Sequence, residues 1–185
     1  MTVKITNTAR LKDYTAILGN SVTVVNGSDD KFFLRDADAS IIVKAMAAGK
    51  GFIIEDTTLT INGTTYNTVS RHDPINDGDE AVWSTKMAYH SGYMIHFYEA
   101  DINGYIKIDP SEYASRLSFG DIFVPEDYDI PICKIEKRGI PFENARRRVL
   151  TKLLLGESFH TEVIEPISEK KDASSTLQQS CIVAH

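Results

Sequence analysis

A chain of 185 residues with a net charge of −6 is long enough for one domain with a real core, and its sign is wrong for a whole-molecule grip on nucleic acid. No apolar run approaches the roughly 18 to 20 residues that span a bilayer, and the N-terminal MTVKITNTARLKDY has no apolar h-region or cleavage-like site, so neither a membrane span nor a secretory signal is expected. Two cysteines, Cys133 and Cys181, make no disulfide framework, which points to a reducing, cytoplasmic compartment.

The first element is the strand NSVTVVNG, β-branched and alternating at Val22 and Val24. KFFLRD, Lys31 to Asp36, reads as the next. The period then changes. In DASIIVKAMAAGKG, Ile41, Ile42, Ala45 and Met46 fall at helical spacing, with Asp38 as a cap and Gly49 or Gly51 as a stop. LTINGTTY follows as a hairpin. Its Asn62-Gly63 pair suits a two-residue type I′ turn, which sets Ile61 against Thr64 and Leu59 against Tyr66. By the same logic YMIHFYEADINGYIKID is expected to fold back at Asn103-Gly104. SEYASRL reads as a short helix, and DIFVP and IPICKIEK as short strands bounded by prolines.

The strongest helix is PFENARRRVLTKLLLGE. Pro141 stands near its start, Phe142, Ala145, Val149 and Leu153 form one stripe, and Gly156 is placed to end it. SFHTEVI adds a last strand. Beyond Glu165 the chain is polar and Ser/Gln/Lys-rich, which predicts a flexible tail. The fold expected is therefore α+β: a single domain over 1–164, mostly an antiparallel, hairpin-rich sheet with two main helices, and a flexible C-terminal tail over 165–185.

RHDPINDGDE, Arg71 to Glu80, is dense in His72, Asp73, Asp77, Asp79 and Glu80. Aligned as an EF-hand loop it fails, because Ile75 and Ser84 fall where oxygen ligands are needed. If Ser91-Gly92 makes a two-residue turn, His90 and His96 point to opposite faces and cannot share a metal with it. Asp, Pro, Asn and Gly are turn formers, so the stretch reads as a solvated turn, and no metal or cofactor is expected. Cys133 sits between isoleucines as a small hydrophobe. Glu99 and Asp101 read as a solvated strand end. Phosphate-loop, dinucleotide, nucleophile-elbow and zinc-helix motifs are all absent from the sequence.

Charge is uneven along the chain. Between Pro131 and Leu155 lie seven cations (Lys134, Lys137, Arg138, Arg146, Arg147, Arg148, Lys152) and two acids (Glu136, Glu143), a local +5 that leaves −11 elsewhere. Arg147, Arg148 and Lys152 lie off the apolar stripe and read as solvated. With Lys137 and Arg138 they form a candidate partner-binding face. Acidic, Thr/Asn-rich chains with NG hairpins and no enzyme signature resemble bacteriophage accessory or particle proteins. The expectation is a non-enzymatic interaction or assembly module that binds a protein partner or itself. The alternatives are a motif-poor, metal-assisted hydrolase using His72, Asp73, Asp77 and Asp79, or nucleic-acid binding through the basic helix 142–155.

Overall fold

Alternating apolar and polar residues run through three long strands, β3 (Phe52–Ile61), β6 (Glu80–Ser91) and β7 (Met94–Ile106), which pair antiparallel as the spine of the sheet. The computed structural model describes residues 1–4, 8–25, 37–109 and 116–164. The sheet forks at both outer strands of the spine. The first half of β3 pairs with β1 (Thr2–Lys4), and its second half with β4 (Thr64–Tyr66). Across the spine, the first half of β7 pairs with β10 (His160–Val163), and its end with β9 (Phe123–Pro125). Between β10 and β9 the Lys152 ammonium donates to the Glu99 carbonyl at 2.7 Å.

The sheet is mixed, which corrects the expectation of a mostly antiparallel one. β1 runs parallel to β3 on one side and to β2 (Thr23–Val25) on the other. The physical reason is the helix α1 (Thr8–Leu18) between β1 and β2, because a crossover of that length returns the chain in the same direction. Among the described residues five helices replace the two expected: α1, α2 (Ala37–Ala48), α3 (Phe119–Ile122), α4 (Ile132–Lys137) and α5 (Ala145–Leu155).

Because side chains alternate across a strand, neighbouring isoleucines enter different cores. Ile53 packs with Tyr14, Leu18, Met87, Val149 and Leu150 under α1 and α5. Ile54 packs with Ile41, Ala45, Ala88 and Phe97 under α2, on the opposite face. A third core, including Leu59, Ile106, Ile122, Phe123 and Ile132, fills the end where α3, α4 and β9 gather.

The Asn62-Gly63 turn forms in the expected register, with Ile61 opposite Thr64 and Leu59 opposite Tyr66, and both turn residues at positive φ. The turn expected at Asn103-Gly104 does not form. β7 runs straight through it, and the hairpin lies earlier, with Ser91 opposite Met94 and Gly92 at φ +60°. Gly104 serves β9 instead: a Cβ there would stand 2.1 Å from the Val124 carbonyl oxygen. ICKIEK is a helix rather than a strand, following Pro131 and burying Ile132 and Ile135 on one side. DIFVP divides between the end of α3 and β9. Within SEYASRL, Arg116 and Leu117 form the short strand β8 against β5 (Val69–Ser70); the rest of that segment, Lys31 to Asp36 and the expected tail lie outside the described residues.

Candidate active site

Glu55 is a charged residue on a buried strand face, two positions from Ile53 and four from Leu59, and its side chain is only 3% exposed. Such a carboxylate needs partners or it cannot stay ionised. Three are at hand. Arg146 Nε donates to Oε1 at 2.8 Å, while Arg10 Nη2 and the Tyr14 hydroxyl donate to Oε2 at 3.2 and 3.0 Å. Asp13, 8% exposed, lies alongside. Its Oδ2 accepts from Arg146 Nη1 at 3.0 Å and from Asn144 Nδ2 at 3.1 Å, and its Oδ1 accepts from Arg147 Nε at 2.7 Å.

Local sequence explains these positions. Leu11, Tyr14, Ile17 and Leu18 turn one side of α1 to the core, which leaves Arg10 and Asp13 at its border. Asn144 is the N-cap of α5; its Oδ1 accepts from the Arg147 backbone N–H at 2.9 Å while its amide reaches Asp13. One side chain thus ends the loop and orients the acid. Arg146, at the second position of the helix, bridges both carboxylates.

Burial and pairing pull against each other in this network. Burial would raise the Asp13 carboxyl, but hydrogen bonds from Arg147, Asn144 and Arg146 outweigh it and hold the group below the ordinary carboxylate range. Burial would lower the Arg146 and Arg10 guanidiniums, but Glu55 holds both above their usual value. Burial, with Glu55 adding to it, pushes the Tyr14 phenol well up, so it remains a donor.

This cluster borders a cleft of about 670 Å³. Lys12, Asp13, Asn144, Arg146 and Arg147 make its charged wall; Trp83, Ile132, Ile140 and Phe142 make an apolar one. Trp83 is fixed edge-on against Phe119 and Phe123, with ring centroids at 5.9 and 5.6 Å. Cys133 also lines the cleft. Burial and its bond with Asp121 push that thiol up to about 11, so it is a poor nucleophile near neutrality.

Of the residues singled out from sequence, only Arg147 joins this cluster. Arg148, Lys137 and Arg138 are exposed, and Lys152 is turned toward the Glu99 carbonyl. The acidic stretch lies elsewhere and is built as a turn. Asp73 accepts from the Ser70 N–H at 2.6 Å, Asp79 from the Asn76 N–H at 2.7 Å and Asp77 from the Ile108 N–H at 2.7 Å. His90 faces the α2 core opposite Ile95, and His96 stands opposite Tyr89 on the other face. Asp101 accepts from the Ser84 hydroxyl at 2.6 Å, in mid-strand rather than at a hairpin end.

Fold and cleft together define a class: an α+β scaffold with a forked mixed sheet whose long central strands carry a charged pocket under the helices. The structure is similar to that of the Staphylococcus aureus Ham1 protein, with a TM-score of 0.56 and 16% sequence identity over 85% of this chain and 98% of that one. At this identity the likeness is one of fold. No protein-family model matches the chain, and no curated protein matches it in sequence. The Ham1-like scaffold with its charged cleft overturns the expectation of a non-enzymatic interaction or assembly module and of a viral accessory protein. Composition points toward both because the cluster's members are scattered along the chain. Among the described residues no helix is long and apolar enough to cross a membrane.

Proposed function

We propose that this chain is an enzyme, a hydrolase of nucleotides, and that the cleft between α1, α4 and α5 is its active site. Arg146, joined to Asp13 and Glu55 at the edge of that cleft, is the observation that carries the reading. Guanidiniums match phosphate oxygens in two-pronged geometry, and Arg146 and Arg147 both line the cleft, with Arg10 behind them on Glu55. Trp83 and Phe142 offer a flat apolar wall beside them, on which a base can lie. A phosphoanhydride held by the arginines would have Glu55 and Asp13 within the same network to accept or give a proton as water attacks phosphorus. The Ham1-like fold supports an enzyme on this scaffold.

Exposed Lys137 and Arg138 adjoin the cleft-lining residues Glu136 and Gly139, and Arg148 follows Arg147. In this reading they draw anionic substrate toward the cleft, which gives the +5 segment a role despite the net negative charge. This reading stands nearer the motif-poor, metal-assisted hydrolase considered from sequence than the interaction module, with its residues placed at the cleft and not in the 71–80 turn. The test is release of phosphate or pyrophosphate from a panel of nucleoside triphosphates and diphosphates in the presence of magnesium. Turnover of one of them, lost in Arg146→Ala, is expected. No turnover across the panel would overturn the reading.

A further inference from the structure

Both oxygens of Asp13 are occupied, Oδ1 by Arg147 and Oδ2 by Arg146 and Asn144. A phosphoryl group arriving at the charged wall draws on the same two guanidiniums, Arg146 and Arg147. Glu55 is placed differently: if Arg146 turns toward an anion, its Oε2 still has Arg10 and Tyr14. Anion binding therefore takes both guanidiniums from Asp13, which keeps only the neutral Asn144 amide, whereas Glu55 loses one and keeps Arg10.

The neighbours of Asp13 set its protonation once those donors leave. The charged and titratable groups sharing the cleft border with it are Lys12 on its own helix, Arg146 and Arg147 on α5, and Cys133 and Glu136 on α4; behind Arg146 lies buried Glu55 on β3, held by Arg10 and Tyr14 of α1. Glu136 and Glu55 add negative charge, and the cations left are exposed Lys12 and Arg10, which stays on Glu55. A carboxylate 8% exposed that loses two guanidiniums and gains a phosphate neighbour meets both conditions that favour its neutral form, burial and like charge. Resting on the hydrolase reading of this cleft, we infer that binding of a polyphosphate to Arg146 and Arg147 is coupled to uptake of a proton by Asp13.

Protonated Asp13 can donate to a phosphoryl oxygen where the carboxylate would repel it. The free protein shows the opposite state, with the carboxyl held low by the same guanidiniums. The two acids then divide their roles, Glu55 to accept a proton and Asp13 to give one. In hydrolysis, water oxygen bonds to phosphorus and its proton passes to Glu55. The phosphorus bond to the leaving oxygen breaks, its electron pair stays on that oxygen, and the proton on Asp13 joins it.

The experiment is calorimetric titration of the full chain with inorganic tripolyphosphate near neutral pH, in buffers of different ionisation enthalpy, for wild type and Asp13→Asn. Wild type should take up as much as about one proton per site more than the variant, and its affinity relative to the variant should fall up to about tenfold per pH unit on raising pH. An infrared difference spectrum of the wild type should gain the band of a protonated carboxyl on binding, a reading that stands if Asp13→Asn does not fold. Equal uptake in both chains, no carboxyl band, or no tripolyphosphate binding overturns the inference. Nucleotide turnover on the same sample separates the two ideas. Turnover without proton coupling leaves the hydrolase reading standing, and coupling without turnover on any nucleotide removes that reading alone.

Discussion

Arg146 lies between two buried carboxylates, and its removal leaves both short of charge. Breaking a buried pair by deleting one partner costs about 3 to 5 kcal/mol, and the 21% exposure of Arg146 places it toward the lower end. Arg146→Ala is therefore expected to destabilise by about 3 kcal/mol in urea unfolding. Arg146→Lys should recover little of this, because one ammonium cannot reproduce two forked bonds to separate acids. Arg147 and Lys152 read from sequence as solvated, yet one bonds Asp13 and the other the Glu99 carbonyl. Reversal of both to glutamate should lower the urea midpoint measurably rather than leave folding untouched. Acid should weaken the fold through Asp13. Its folded value is depressed, so its contribution is present above the unfolded carboxylate value of about 4 and is lost as pH falls through the folded one. Asp13→Asn should flatten the loss of stability below about pH 4.

Elements were legible where local chemistry and tertiary demand coincide. Asn62-Gly63 needs positive φ and has an apolar face on each arm, and its hairpin forms in register. Of the expected stripe Phe142, Ala145, Val149 and Leu153, the last three are buried as their spacing predicts and Gly156 ends the helix at φ +71°, but the helix starts at Ala145 after the Asn144 cap, so Phe142 lies before it. Asn103-Gly104 misleads because glycine has a second use. It admits a close neighbour, here β9, and the same dipeptide serves either purpose. Gly104→Ala is expected to cost about 3 kcal/mol or to detach β9 from β7, read by urea unfolding and by amide exchange at Phe123 and Val124. Helix α1 has a readable signal in Leu11, Tyr14 and Leu18, but its overall apolarity is low and the interspersed charges hide it. Glu55 is the other available clue, a lone acid on a strand face with Ile53, Leu59 and Ile61. Its partners are beyond the reach of sequence, since the ion pairs of the cluster join residues 45 to 134 positions apart.

At the scale of the molecule, the forked sheet is what creates a site. α1 and α5 cover one end of the spine, α3 and α4 gather with β9 at the other, and Glu55 lies on a strand that runs through both. Parallel pairing at β1 depends on contacts across a crossover, which turn chemistry does not encode, so the mixed sheet could not be read from hairpins. A charged cluster between separately covered ends of a sheet costs stability unless fully paired. Its position at the border of a cleft, with Asp13, Arg146 and Arg147 on the lining, is what supports the proposed catalytic role. The most direct measurement compares kcat/KM for the best nucleoside triphosphate across three chains: wild type, Glu55→Gln, and Asp77→Asn with Asp79→Asn. Glu55→Gln is expected to fall by about a hundredfold or more while remaining folded, as loss of an acid–base group does, and the double variant in the 71–80 turn to keep wild-type turnover. Equal activity in wild type and Glu55→Gln, with turnover lost in the turn variant, would contradict a catalytic cleft and move the active site to the acidic loop.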